Sequence, residues 1–308
     1  FRKMITGCRP NGLTQKRVAD RLPPAWALVR PGNYCRMALV LLLLAPLPLL
    51  AGTKVWTNGN GNNLWGDGGN WSPSGVPAAG DDVQFNGAVT NVSCTAAANT
   101  VAQNLGSLTL NSNYSGTLTF SADFAGGNSQ TLVVAGAMVQ NGGIWIVTGK
   151  SSSGTGVTFQ AASFSQGSGA LLHSDSRGFP GGQGPGATSF QVSCSHGGRG
   201  SPILTSPAPY GSPSAPVTLG SGNLTSLAAG GGAIKIDVGA GNLTLDGTIR
   251  CNGGSSGNNT GAGSGGSIWL VCGAFGGAGM VRAWRRHRAA ARPRRRSRSP
   301  PSVLSSGA

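Results

Sequence analysis

Residues 230–283 read GGGAIKIDVGAGNLTLDGTIRC, then a Gly/Ser/Asn spacer, then GGSIWLVCGAFGGAGMVRA, and the second block repeats the first. Aligning Ile234 with Ile268 sets Ile236 on Leu270 and Gly239 on Gly273. After a short gap, Gly247-Thr248-Ile249-Arg250 falls on Gly279-Met280-Val281-Arg282. Each block is expected to hold two short strands separated by a glycine turn. Alternation at Ile234, Ile236, Val238, at Leu243, Leu245 and at Ile249 is the period of a strand that buries one face. Repeats whose unit cannot close its own core stack into solenoids. The fold expected is therefore all-β, a right-handed parallel β-helix (β-solenoid) with a long irregular Gly/Pro-rich loop and disordered ends.

The rest of the chain fits that frame. From 89 to 172 short alternating runs recur, with Leu108, Leu110, then Leu118, Phe120, then Ile144, Ile146, broken by Asn/Gly/Ser turns such as Asn141-Gly142-Gly143. Strand starts about ten to fifteen residues apart suit a solenoid or a sandwich, and the repeat at 231–283 decides for the solenoid. Residues 173–230 are too rich in Pro and Gly for a regular ladder and are expected to fold over the body as an excursion.

Composition agrees. Gly contributes 53 of 308 residues, all eight acidic residues are Asp, and helix formers are scarce. The net charge of +15 invites a nucleic-acid reading, but its distribution removes it. Residues 53–280 carry six Lys/Arg against seven Asp, and the excess sits in the two ends. A nucleic-acid binder would carry a basic stripe on its folded part, so no nucleic-acid partner is expected.

Residues 37–52, with Arg36-Met37 leading into ALVLLLLAPLPLLAG, have the basic start, short apolar run and small-residue end of a secretory signal peptide. The run is short for a membrane span, so the mature chain is expected to be secreted and to lack one, with 1–36 lying upstream. Residues 284–308 turn abruptly to WRRHRAAARPRRRSRSPPSVLSSGA, the pattern of a shifted reading frame or a disordered tail.

At 53–88 the chain reads TKVWTNGNGNNLWGDGGNWSPSGVPAAGDDVQFNGA, placing Trp56, Trp65 and Trp71 among Asn/Gly turns before Val-Pro and Gly80-Asp81-Asp82. This stretch resembles the opening segment of secreted bacterial β-helix surface proteins of the autotransporter or adhesin type. It is also similar to the start of the glycine-rich domain in hyaluronan-degrading and fibrocystin-like ectoproteins. The resemblance implies that the aromatics cap the first coil, an exposed terminal layer that every solenoid has to cover. It also implies that the chain is a fragment of a cell-surface protein, with a polysaccharide or a neighbouring surface as partner. An open last coil would be a route to self-association.

Candidate chemistry is sparse. His173, Asp175 and Arg177 alternate and are expected to share a strand face. His196 and Arg199 lie in HGGRG, which is equally the composition of a polar turn. Together these five are the candidate catalytic set, since an acid, an imidazole and a guanidinium would suit proton abstraction beside a uronate carboxylate. No second carboxylate accompanies Asp175, as glycoside hydrolysis requires, and Asp81 and Asp82 point to opposite faces if they lie on a strand. The reading favoured is a structural or adhesive surface protein, with an acidic-polysaccharide lyase as the alternative. Cys94, Cys194, Cys251 and Cys272 allow three disulfide pairings or four free thiols. No CxxC pair is present, Asp237 and Asp246 lack a calcium-repeat context, and Gly230-Gly231-Gly232 lacks a GK[ST] ending. No metal or cofactor is therefore expected.

Overall fold

The computed structural model describes residues 51–188, 192–200, 207–225, 227–255 and 261–284. The sequence features at 1–36 and 285–308, and all but the last two residues of the leader at 37–52, lie outside that set. The described residues are all-β, apart from a single 3₁₀ turn at Gly68–Asn70.

In chain order the first strands are β1 (Thr53–Trp56), β2 (Trp71–Ser72), β3 (Asp82–Phe85), β4 (Cys94–Ala96), β5 (Ser107–Leu110) and β6 (Thr117–Phe120). Triplets follow: β7 (Thr131–Val133), β8 (Ala137–Gln140), β9 (Ile144–Val147); then β10 (Val157–Gln160), β11 (Ser163–Gln166), β12 (Leu171–His173). Beyond the excursion come β13 (Ala233–Asp237), β14 (Asn242–Leu245), β15 (Thr248–Arg250) and finally β16 (Ser267–Val271), β17 (Ala274–Gly276), β18 (Met280–Arg282).

The strands form three sheets, ordered β17-β14-β11-β8-β5-β3-β1-β2, β16-β13-β10-β7 and β18-β15-β12-β9-β6-β4, and from β5 onward successive strands enter them in rotation. Every named pairing is parallel except β1 with β2. The register expected from the repeat is the one observed, with Ile234 on Ile268, Ile236 on Leu270 and Ile249 on Val281. Each repeat nevertheless holds three strands rather than two. Asp246-Gly247 turns the chain a second time, and the segment after it pairs in a different sheet from Asn242–Leu245.

Register turns the period-two pattern into interior columns. Cys94, Leu118, Trp145, Leu172 and Ile249 stack from strand to strand and are buried, as are Leu132, Phe159 and Ile236. Phe120 and Phe159 lie 5.5 Å apart, and Trp145 and Phe159 5.6 Å. Each buried side chain of this size contributes about 1.5–3 kcal/mol. At the last strands the columns run out, leaving Phe275 and Val281 exposed in inward positions.

The tryptophan segment belongs to the ladder. β1 and β3 pair in parallel and β3 pairs with β5, so Val83 and Phe85 begin columns continued by Leu108 and Leu110. Trp71 packs edge-on against Trp56 and Trp65, centroids 5.1 and 4.8 Å apart, and against Phe85, on which Trp56 and Trp65 lie tilted. Asp67 caps the 3₁₀ turn, accepting from the Gly69 N–H at 2.9 Å. β3 begins at Asp82, which is exposed; Asp81 precedes the strand and is buried, its carboxylate accepting from the Gly52 and Ala78 N–H groups at 2.9 and 2.8 Å.

The excursion between β12 and β13 carries no named strand among its described residues and ties extended segments together by isolated hydrogen bonds. Gly178 donates to the Gly230 carbonyl (2.8 Å), Gly220 to Gly231 (2.8 Å) and Gly231 to Ser264 (2.9 Å). Glycine is required at Gly266, where a Cβ would collide with the Gly232 carbonyl. The four cysteines in the described residues are free, with Cys94, Cys194 and Cys251 buried.

Candidate functional site

β12 ends at His173, so the expected shared strand face for His173, Asp175 and Arg177 does not form. Asp175 and Arg177 lie in the turn that follows, with Ser174 and Ser176 bonded into neighbouring rungs. His173 and Asp175 are still brought together, and the cation that joins them is Arg250, directly above His173 in β15. Asp175 Oδ2 lies 2.7 Å from Arg250 Nε and 3.9 Å from His173 Nδ1, and Oδ1 accepts from the Asn252 N–H at 2.8 Å. The Arg250 contact is a close charge pair rather than an aligned hydrogen bond. Burial holds the His173 imidazole below its ordinary value; Asp175 pulls it up, while Arg250 and Arg177 push it further down. Its Nδ1 accepts weakly from the Asp175 N–H at 3.4 Å, which places the proton of the neutral ring on Nε2.

His196 and Arg199 belong elsewhere. The His196 ring packs against Tyr210, centroids 4.7 Å apart, and Nε2 is 2.9 Å from the Thr218 hydroxyl. Burial holds this imidazole low as well, and it pushes the Tyr210 phenol up to about 12. Tyr210 donates to the Leu219 carbonyl at 2.6 Å and sits 2.7 Å from the Ser221 hydroxyl. His196 and Arg199 share a cavity of about 400 Å³ with Ser264, Gly265 and Ala283, and none of His173, Asp175 or Arg177 lines it.

A better-formed site lies on the outer face of the β16-β13-β10-β7 sheet. Thr131, Thr158, Lys235 and Trp269 stack in one outward column and floor a cavity of about 490 Å³. Its rims are the turns carrying Asp123, Gln130 and Lys150, together with Val217 from the returning excursion. Lys150 Nζ reaches Asp123 Oδ2 at 2.9 Å, and Lys235 Nζ reaches Asp237 Oδ2 at 2.8 Å. The Lys235 ammonium also sits 4.4 Å from the Trp269 ring centroid, fixing the indole against the cavity wall. The hydrogen bond from Lys235 holds the Asp237 carboxyl below the usual carboxylate range.

A second column, Val133, Gln160, Asp237 and Val271, runs beside the first. It borders a further depression of about 350 Å³ lined by Val133, Gln160, Asp237 and Gly239. Both carboxylates on this wall already contact an ammonium, and Asp123 Oδ1 is buried without a partner. Such an arrangement suits binding, and the Asp237 carboxyl, held low, is poorly placed to act as a general acid. Sequence reasoning missed this wall, although the alignment of Ile234 with Ile268 also places Lys235 on Trp269.

Among the described residues no group of three or more His, Cys, Asp or Glu could hold a metal ion, and no helix is long and apolar enough to cross a membrane. No protein-family profile, curated protein or solved structure matches this chain. The class defined by fold and site is an all-β protein of parallel ladders with a polar, aromatic-lined groove on one wall.

Proposed function

We propose that the chain is a secreted or cell-surface structural and adhesive protein of the autotransporter or adhesin kind, binding glycans without cleaving them. In this reading the three ladders are the walls of one right-handed parallel β-helix, the hand that parallel crossover connections adopt almost without exception. Rotation of successive strands from β5 to β18 through the same three sheets supports the helix. The observation that carries the adhesive function is the outward column from Thr131 to Trp269, a polar and aromatic surface whose charges are already paired. Copies of the chain would associate through the open last rung, where Phe275 and Val281 are exposed.

The contact of Asp175 with both His173 and Arg250 favours a second reading, a lyase acting on an acidic polysaccharide. Against it stand the His173 lone pair turned toward Asp175 and the placement of His196 and Arg199 around a different cavity. One experiment separates the two. The protein is passed over immobilised neutral and acidic polysaccharides, and the eluate is assayed for the ultraviolet absorbance of unsaturated uronates. Retention without unsaturated product is expected. Product that disappears in Arg250→Ala would install the lyase, and failure to be retained by any polysaccharide would end the adhesive reading.

A further inference from the structure

The charge balance of the groove identifies what it would take. Two ammonium groups face this wall, Lys150 and Lys235, and each is matched by a carboxylate within 2.9 Å, Asp123 and Asp237. A polyanion gains little here, because each new carboxylate or sulfate would have to displace one the protein already supplies. Beside them the larger cavity presents the Thr131 and Thr158 hydroxyls and the Trp269 indole, and the Gln160 amide lines the neighbouring depression. Hydroxyls, an amide and paired charges donate and accept hydrogen bonds without net charge, and an indole offers an apolar face. A pyranose ring has the complementary character, with equatorial hydroxyls at its edge and C–H bonds on its faces.

Size and shape agree. The depressions of about 490 and 350 Å³ fall in the range of ligand sites, roughly 300–1,000 Å³. They lie at opposite ends of the same strands, with Lys235 lining one and its partner Asp237 the other. Thr131 to Val134 spans about 10 Å at ~3.3 Å per residue, close to roughly two hexose units along the strand direction.

We infer that the outer wall formed by β7, β10, β13 and β16 binds a neutral oligosaccharide chain of two or more sugars, one ring packed on Trp269 and the chain running past Lys235 and Asp237. This inference rests on the glycan-binding reading above and narrows it to one wall and one ligand class. It is tested on the full chain by calorimetric titration with cellohexaose, xylohexaose and mannohexaose, and with the galacturonate hexamer as the charged counterpart. At least one neutral hexamer should bind, with an affinity little changed between low and high salt because the site carries no net charge.

Trp269→Ala should weaken that binding about tenfold or more, through loss of the aromatic surface. Thr158→Arg, an outward change that fills the groove, should abolish it and keeps the test decisive if Trp269→Ala fails to fold. Thr244→Ala, an exposed change in a different sheet, should leave it unchanged. Binding of the galacturonate hexamer alone, or of a neutral hexamer indifferent to Thr158→Arg, would overturn this assignment while leaving polysaccharide retention intact. Absence of binding to all four hexamers would overturn it too, and loss of retention on every immobilised polysaccharide would mark failure of the broader reading.

Discussion

Gln140 and Gln166 lie inside the ladder, fully buried, in a column that runs Leu110, Gln140, Gln166, Leu245. Gln166 Nε2 donates to Gln140 Oε1 at 2.8 Å and, at a longer 3.3 Å, to the Thr248 carbonyl. Gln140 Nε2 donates to the Leu171 carbonyl at 2.9 Å, while Gln166 Oε1 has no partner. The pair is therefore asymmetric, and leucine substitutions should expose the asymmetry. Gln140→Leu removes the acceptor of the strongest bond that Gln166 makes and leaves both ends of the Gln166 amide poorly satisfied. A buried polar group left without a partner costs about 1–3 kcal/mol, so about 2–3 kcal/mol is expected.

Gln166→Leu strands Gln140 Oε1 but also deletes the oxygen that was already orphaned, so the net loss should be smaller, about 1 kcal/mol. The double substitution removes every amide atom at once and completes an apolar column from Leu110 to Leu245. It should lose no more than about 1 kcal/mol relative to the parent, giving a favourable coupling of about 2–4 kcal/mol between neighbours. Urea unfolding reads this directly, as midpoints that move while the denaturant slope stays fixed. A double variant destabilised by the sum of the two singles would refute the reasoning, as would a Gln140→Leu protein as stable as the parent.

Gly266→Ala drives a Cβ into the Gly232 carbonyl, and backbone on both sides leaves no side chain to yield. Thermal unfolding should report a loss of about 1–3 kcal/mol or more, whereas Gly276→Ala, with open space around its Cβ, should stay near the parent. Burial holds His173 and His196 below the ordinary imidazole value, so the unfolded chain takes up protons first. Stability should therefore be level above about pH 6.5 and fall as the pH drops below it toward the lowered native values. His196→Gln should flatten that slope in urea midpoints measured across the range, and stability that rose on acidification would contradict the assignment. Of the four described thiols, partly exposed Cys272 should react first with a thiol reagent under native conditions, with buried Cys94, Cys194 and Cys251 protected until unfolding. Equal labelling rates by mass spectrometry would show that Cys94, Cys194 and Cys251 are not shielded in the folded protein.

The ladder register was legible because inward residues repeat in kind. Ile234 and Ile268 occupy the same interior column, and interior columns tolerate little besides apolar side chains. Outward residues are free to differ from rung to rung, so the column of Thr131, Thr158, Lys235 and Trp269 has no periodic signature and its groove was missed. Arg250 was missed for a related reason. Its partner Asp175 lies far away in the chain, and only the stacking of β15 on β12 closes the distance. The extra strand in each repeat was hidden because Asp246-Gly247 breaks a pattern too short to read as two strands. Alternation at His173, Asp175 and Arg177 suggested a longer β12 than exists; the backbone turns after His173, where Ser174 donates its hydroxyl to the Val147 carbonyl at 2.6 Å.

The excursion is inserted between β12 and β13, yet Val157 to Gln160 still pair in order with Ile234 to Asp237. An insertion at a corner leaves the register intact because loop-closure entropy rises only slowly with length, while each rung is held by its own ladder bonds and interior column. What the insertion changes is the wall outside. Its returning end bridges Thr155 through Thr218 and sets Val217 on the rim above Thr158 and Lys235. Repetition therefore builds a fixed floor, and a single non-repeating segment shapes the groove over it. Affinity should accordingly depend on two separable sets of residues, the outward column that any further rung would extend and the Val217 rim that only this corner supplies.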